Sequence, residues 1–295
     1  MNKPEILIDA HAVLAEGPCW DPQRRVLYWT DGLGSKIHRY HRDTGENETM
    51  ELDQYVGCVV PRKEGGLIAA MQHGIYCIDD QLSAIELIND IERDIENNRL
   101  NDGKCDSRGR LWFGSMSMTA NQEDREFEVT GSFYCLDRNL QVHKQFGGVG
   151  ISNGIAWNRD ESVMYYIDTV TGQVAEFPFD PDIGITGPRK TAVEIPKEEG
   201  LPDGMTIDEE GMLWVAHFFG GCVTRWDPRT GRRLAKISLP ATNVTCCAFG
   251  GSDLDELYMT TARIELTPDQ LKQEPHAGAV FVTRPGVRGT APNFW

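Results

Sequence analysis

The sequence predicts an all-β fold, a six-bladed β-propeller with four-stranded blades around a central channel. Its main support is a set of short apolar segments, each following a turn, that centre on Leu27, Leu67, Leu111, Met164, Leu213 and Leu257. Their spacings of 40, 44, 53, 49 and 44 residues match the repeat length of a propeller blade. Behind each segment follows a stretch of alternating apolar and polar residues that ends in a polar turn, as expected for a half-buried strand. Residues 1–295 are therefore expected to form one propeller domain.

Two segments outside these repeats need their own assignments. The stretch SAIELINDIERDIENN at 83–98 has an apolar spacing that suits a helix or strands, and we favour strand because it falls in the outer part of a blade. The stretch TPDQLKQ at 267–273 predicts one short helix, because a threonine precedes a proline at the first helical position.

Charge and composition limit the partners of this protein. A net charge of −16 without a concentrated basic patch argues against binding to nucleic acid or to an anionic membrane. The N-terminal residues lack the apolar core of a signal peptide, and no apolar run could cross a bilayer, so a cytoplasmic protein is expected. The eight cysteines are then expected to be reduced and to pack in or beside strands. The sequence leaves the oligomeric state open.

A further repeated element shortly precedes each apolar segment and contains the candidate site residues. Glu16, Asn153 and Asp203 occupy matching positions in blades one, four and five, and a glycine directly follows each of them. Because the innermost strand of each blade runs along the channel, these side chains should converge near the axis. Two carboxylates and an amide oxygen suit calcium, magnesium or manganese, with zinc also open. The alternative is ordinary turn chemistry, in which the glycine supplies a positive φ.

The third blade carries a related corner, Asn-Asp-Gly at 101–103, just ahead of the apolar residues 111–113. Asn101 can both donate and accept hydrogen bonds, which fits a pair of neighbouring hydroxyl groups. Arg99 lies two residues before this corner, and it could either belong to the site or form a surface ion pair with Glu96.

Several segments resemble the blade signatures of the SMP-30/gluconolactonase family: AEGPCWDPQRRVLYWTD, NRLNDGKCDSRGRLWFGSM, ISNGIAWNRDESVMYYIDT, LPDGMTIDEEGMLWVAHF and TCCAFGGSDLDELYMTTA. The resemblance covers essentially the whole chain and implies a sugar lactonase on a six-bladed propeller. It implies that Glu16, Asn153 and Asp203 bind one divalent metal, with calcium, zinc, manganese, magnesium and iron all open. It also implies that Arg99 and Asn101 contact the sugar lactone. Asp203 is the favoured general base, and the neighbouring Asp102 is the alternative.

The resulting hypothesis is a metal-dependent hydrolase that opens the ester ring of a sugar lactone to the aldonic acid. One departure affects its specificity. Family members carry an acidic substrate contact shortly after the corner at GSM, where this chain has Ser-Met-Thr-Ala at 117–120. Glu123 or Glu126 in the following loop is a candidate replacement, so the lactone cannot be inferred from those relatives.

Two other functions are compatible with this fold. The same metal site could hydrolyse phosphotriesters or fluorophosphates, and the sequence hardly separates that reaction from lactone hydrolysis. The stretch LYWTD at 27–31 also matches the motif of non-enzymatic propellers that bind protein partners. Only blade one carries that motif, which makes this second alternative the weaker one.

Overall fold

The computed structural model describes residues 3–119 and 128–295 and shows a six-bladed β-propeller, as the sequence predicts. Each blade is an antiparallel sheet whose strands follow chain order from the axis outwards, except that β1 forms the outermost strand of blade six. The chain opens with β1 (Glu5–Ile8) and continues into blade one, which consists of β2 (Ala15–Asp21), β3 (Val26–Asp31), β4 (Lys36–His41) and β5 (Asn47–Glu51). Blade two consists of β6 (Val56–Pro61), β7 (Leu67–Met71), β8 (Gly74–Ile78) and β9 (Ile85–Asp90). Blade three consists of β10 (Asn98–Cys105), β11 (Leu111–Ser117), β12 (Gly131–Leu136) and β13 (Val142–Val149).

The second half of the chain repeats this arrangement with one addition. Blade four consists of β14 (Ser152–Trp157), β15 (Val163–Asp168), β16 (Gln173–Asp180) and β18 (Lys190–Glu194), and the short β17 (Gly184–Ile185) pairs with the end of β16. Blade five consists of β19 (Leu201–Ile207), β20 (Leu213–Phe218), β21 (Cys222–Asp227) and β22 (Arg232–Ser238). Blade six consists of β23 (Asn243–Gly250), β24 (Glu256–Ala262) and β25 (Val280–Thr283), completed by β1.

The ring is closed by the pairing of the two ends of the chain. Strand β1 lies antiparallel to β25, with Glu5 opposite Val282, and so becomes the outermost strand of blade six. The six innermost strands, β2, β6, β10, β14, β19 and β23, each contact the next one around the axis. The inner strands keep only short edges, which face the channel and are protected there.

The apolar segments that defined the repeat are the second strands of the blades. They are buried on both faces because the core is divided into six hydrophobic clusters, one between each pair of adjacent blades. Trp112, for example, packs between blades three and four, and Trp214 packs between blades five and six. Burial on both faces explains why these segments read as continuous apolar runs.

The two separate assignments are also confirmed. A helix, α1 (Pro268–Gln273), begins after Thr267, whose Oγ1 accepts a hydrogen bond from Gln270 N. The ambiguous stretch at 83–98 contains the outer strand β9. All eight cysteines are unpaired thiols. No helix in the described part of the chain is long and apolar enough to span a membrane.

The expectation of a tight corner ahead of a buried strand is wrong, because the Asn-Asp-Gly sequence at 101–103 lies inside β10. The pairing of β10 with β11 shifts register between Leu100 and Gly103, which marks a β-bulge. Each of the other five innermost strands has a register shift at the matching place. A bulge bends its strand and redirects the side chains, so six of them change the direction of the polar residues around the axis.

Two of the three glycines that follow the proposed ligands serve close packing rather than turn conformation. The exception is Gly17 after Glu16, which has a φ of +52° as the turn alternative predicts. Gly154 and Gly204 both have ordinary negative or extended φ values, so the turn alternative does not explain them. A Cβ on Gly154 would lie 2.6 Å from Cβ of Met205, and one on Gly204 would lie 2.6 Å from Cβ of Cys246. Neighbouring inner strands therefore approach too closely at these bulges for any side chain.

Candidate functional site

The bulges bring the predicted site residues together on the axis from four blades. Glu16 comes from β2, Asn153 from β14 and Asp203 from β19, while β10 supplies Arg99, Asn101 and Asp102. All six side chains are buried, although ionisable residues are usually exposed. Four of them lie within the first three residues of their strands, at one end of the channel, and Asn101 and Asp102 lie in the middle of β10. The sequence expectation of convergence is thus met for this set.

Hydrogen bonds link the side chains of blades three and four. Arg99 Nη1 donates to Asn101 Oδ1 at 2.6 Å. Asn101 Nδ2 donates to the carbonyl oxygen of Ser152 at 2.7 Å and to Asn153 Oδ1 at 3.2 Å. Both N–H groups of Asn101 are therefore engaged within the protein, and it keeps only acceptor capacity on Oδ1 for a ligand.

The carboxyl groups lie in a site with too little positive charge. Burial, followed by the charge of Asp102, raises the pKa of Glu16 to about 8. Burial, followed by the charges of Glu16 and Asp102, also raises the pKa of Asp203 well above its ordinary value. The Arg99 guanidinium attracts both Glu16 and Asp203, but burial lowers the pKa of Arg99 itself to about 10. Glu16 and Asp203 thus share one buried guanidinium, while Asp102 interacts with the half-buried Lys104.

This imbalance fits a divalent cation. Buried carboxylates that repel one another are stabilised by a bound positive charge. Glu16 and Asp203 offer carboxylate oxygens, and Asn153 offers an amide oxygen that can accept from Asn101 while a second lone pair stays free. Among the described residues, no three histidine, cysteine, aspartate or glutamate side chains form a ligand group. The candidate set differs from such groups because its third oxygen comes from an amide.

Asp102 lies at the boundary between this set and a second part of the channel. A cavity of about 370 Å³ is lined by Asp102, Lys104 and Cys246, and residues 290–293 lie along it. Glu16, Asn153 and Asp203 do not line this cavity. Asp102 Oδ1 accepts a hydrogen bond from Gly103 N at 2.7 Å, and burial raises the pKa of its carboxyl.

The structure tests the alternative role of Arg99 but not the loop acids that follow β11. Arg99 is only 6% exposed, which rules out the alternative of a surface ion pair with Glu96. Ala120, Glu123 and Glu126 lie outside the described residues, so the candidate replacements for the family's acidic contact are untested. At the described end of that loop another acid, Glu128, lies close to β11, where it accepts a hydrogen bond from Ser117 Oγ at 3.3 Å.

Sequence reasoning missed two residues beside the site. Tyr55, directly before β6, lies close enough to Arg99 to interact with its charge. Thr169, directly after β15, accepts a hydrogen bond from Asn153 Nδ2 at 2.9 Å. Both lie in loops outside the repeated corner, and neither belongs to a residue pattern that would have identified it.

A ring of six blades with buried carboxylates, amides and an arginine on its axis defines a β-propeller with an axial polar site. Comparison with known proteins gives the particular family. The chain belongs to the SMP-30/gluconolactonase/LRE-like family, whose model matches residues 14–263.

Similar proteins match over nearly their full lengths. A putative sugar lactone lactonase, YvrE of Bacillus subtilis, is 38% identical over 287 residues, covering 96% of this chain and 95% of the relative. Regucalcin of Danio rerio is 38% identical over 291 residues, covering 98% of this chain and 97% of the relative. The crystal structure of a calcium-binding protein, regucalcin, from Agrobacterium tumefaciens has a TM-score of 0.92 at 27% identity, covering 98% of this chain and 96% of the other.

Proposed function

We propose that this chain is a divalent-cation-dependent lactonase that hydrolyses the ring ester of an aldonolactone to the aldonic acid. The observation that most supports this function is the burial of Glu16 and Asp203 together on the channel axis. Membership of the family and similarity to a putative sugar lactone lactonase support the reaction class.

In this proposal Glu16, Asn153 and Asp203 would hold one divalent cation. When bound, it would polarise a carbonyl group as a Lewis acid and lower the pKa of water. The oxygen ligands favour calcium, magnesium or manganese, and zinc and iron are also candidates. The similarity to a calcium-binding regucalcin supports calcium as the first cation to test.

Asp203 is proposed as the general base that accepts a proton from the attacking water. A carboxylate has two oxygens, so one can serve as a ligand while the other accepts the proton. Asp102 is the alternative base because it is buried next to the same site and interacts with both Glu16 and Asp203. Its place beside the cavity would give the proton a route away from the ligand set.

Arg99 is proposed to contact the lactone and to stabilise negative charge on the carbonyl oxygen as water attacks. Nη1 is occupied by Asn101 Oδ1 and by the carbonyl oxygen of Leu100. A guanidinium has five N–H donors, so the remaining ones can point at a substrate. Asn101 orients Arg99 and, through its remaining Oδ1 lone pair, can accept from a sugar hydroxyl.

The deciding experiment assays a panel of five- and six-membered aldonolactones, with a phosphotriester in parallel. Metal-free enzyme is supplied with individual cations, and acid release is followed. Lactone hydrolysis that returns with a cation, is lost in Asn153→Ala and survives in the exposed control Asn139→Ala supports the proposal. Hydrolysis of the phosphotriester but of none of the lactones would refute the proposal, and so would hydrolysis of neither.

A further inference from the structure

One buried hydroxyl outside the predicted set contacts the amide of Asn153. Thr169 is 4% exposed and follows β15 directly, in a short 3-10 turn at Thr169–Thr171. Its backbone is fixed by a hydrogen bond from its N–H to the carbonyl oxygen of Ile151 at 3.0 Å. The side chain therefore has a defined position between blades four and five.

The hydrogen bonds of Thr169 have a forced direction. Its Oγ1 donates its only proton to the carbonyl oxygen of Pro202, at 2.8 Å. The same oxygen can then only accept from Asn153, so the group facing it must be Nδ2, at 2.9 Å. The oxygen of the Asn153 amide is consequently turned the other way, where Asn101 Nδ2 donates to it at 3.2 Å.

We propose that Thr169 is a positioning residue that fixes the amide of Asn153 with its oxygen available to a cation. The inference rests on the proposed function, because it assigns Asn153 as a ligand. Among the three proposed ligands, only Asn153 has two chemically different ends. A carboxylate presents an oxygen either way round, whereas a flipped amide would direct N–H groups at a positive charge.

The hydroxyl occurs only in the blade that supplies this amide. The residue that directly follows the second strand in the other five blades carries no hydroxyl group, being Gly32, Gln72, Met118, Phe219 and Arg263. The position is therefore variable in the propeller repeat, and threonine is not required there by blade geometry. Thr169 Oγ1 accepts a hydrogen bond from Asn153 and donates one to the carbonyl oxygen of Pro202. It therefore also joins the proposed amide ligand to the residue before Asp203.

The test measures cation binding directly by titration calorimetry on metal-free protein. Thr169→Val keeps the shape and removes the hydroxyl, and it should weaken cation affinity about ten- to a hundredfold, as for other partners of metal ligands. Thr169→Ser should restore most of the affinity. Thr171→Val is the matched control, since Thr171 lies in the same turn and bonds to the carbonyl oxygen of Asp168 instead.

A second background separates orientation from general packing. In an Asn153→Asp protein the ligand has two equivalent oxygens, so adding Thr169→Val should change cation affinity by less than about threefold, against about ten- to a hundredfold in the Asn153 protein. Equal losses in both backgrounds, or unchanged affinity in Thr169→Val, would overturn the proposal. A wild-type protein that binds no divalent cation overturns it as well. If the protein binds the cation but opens no lactone, only the lactonase proposal is refuted. The cation affinities of the Thr169 variants then still decide the role of Thr169.

Discussion

Arg99 Nη1 and Asn101 Oδ1 are joined by a hydrogen bond of 2.6 Å within the bulge of β10. The two residues are therefore not independent contacts for a substrate. Asn101 holds the guanidinium on one side and donates to Asn153 Oδ1 on the other. Loss of the guanidinium removes a proposed substrate contact, whereas loss of the amide also disturbs a proposed ligand.

Arg99→Ala is expected to lower kcat/KM about 10²- to 10³-fold, the usual effect of losing one group that stabilises an oxyanion, with cation content unchanged. Asn101→Ala is expected to lower kcat/KM and to weaken cation affinity as well. Steady-state kinetics and metal analysis measure the two effects, with Arg93→Ala as the control because Arg93 is exposed and pairs with Asp90. Cation loss in Arg99→Ala would instead make Arg99 necessary for the ligand set.

Removal of the cation is expected to abolish lactone hydrolysis and to lower thermal stability. A ligand that binds only the folded state stabilises it by about 2.7 kcal/mol at a concentration of one hundred times its Kd. The expected effect is large here because the cation would compensate the repulsion between Glu16 and Asp203. Thermal unfolding with and without a chelator measures it, and Glu16→Gln should reduce the difference. Full activity in protein whose metal content is near zero would contradict the cation's role.

Blade number and strand order could be predicted from the sequence because every blade repeats the same apolar second strand. The candidate site residues could be picked out because Glu16, Asn153 and Asp203 occupy equivalent places in that repeat. The bulges could not be recognised, because Asn-Gly and Asp-Gly fit a turn as well as a bulge. Their distinction depends on the neighbouring inner strand, which is remote in sequence.

Thr169 and the closing strand β1 were missed for a similar reason. Thr169 lies outside the repeated corner, and its importance arises only from contacts with Asn153 and with the carbonyl oxygen of Pro202. The pairing of Glu5 with Val282 joins the two ends of the chain and leaves no pattern within either segment. Side-chain partners that come from different blades are thus set by packing rather than by local sequence.

Gly204→Ala is expected to destabilise the protein by about 1–3 kcal/mol, the usual cost of adding a methyl group to a packed core. The new Cβ would lie 2.6 Å from Cβ and 2.7 Å from Cα of Cys246, so strand β23 would have to move. Urea unfolding measures the change. Gly147→Ala is the control, since the nearest atoms to its Cβ would be the flexible end of Lys144 at 3.3 Å and Ser132 Oγ at 3.6 Å. Equal stability of the two variants would show that the inner strands are not tightly packed.

His38 is expected to contribute a loss of stability as the pH drops from 6.5 towards 4. Burial lowers the pKa of His38 from 6.5 to about 4, so between these values the unfolded chain binds a proton that the folded protein does not. The contribution of His38 to the free energy of unfolding is complete above pH 6.5. It is lost progressively below that pH, by about 3 kcal/mol by pH 4. His38 stacks on Trp29 with a centroid distance of 3.8 Å, and its Nδ1 lies 2.9 Å from Thr49 Oγ1.

Replacing His38 with glutamine should keep a polar contact to Thr49 and remove this titration. The free energy of unfolding of His38→Gln relative to that of the wild type should therefore rise as the pH falls from 6.5 to 4. Urea unfolding at several pH values measures both slopes. His143→Gln is the control, because His143 is exposed. Identical slopes in His38→Gln and the wild type would show that His38 does not titrate differently on folding.

The assignment of the general base depends on comparing Asp203→Asn with Asp102→Asn at saturating cation. Asp203→Asn keeps an oxygen that can still be a ligand but removes the basic carboxylate, so turnover should fall about 10²- to 10⁴-fold while cation is retained at reduced affinity. Asp102→Asn should retain the cation and most of its turnover, because Asp102 lines the neighbouring cavity rather than belonging to the proposed ligand set. Metal occupancy is measured for each variant beside kcat, since loss of the cation would remove nearly all catalysis. A cation-loaded Asp203→Asn enzyme within a few-fold of the wild type, beside an inactive but cation-loaded Asp102→Asn enzyme, would transfer the base role to Asp102 and leave Asp203 as a ligand.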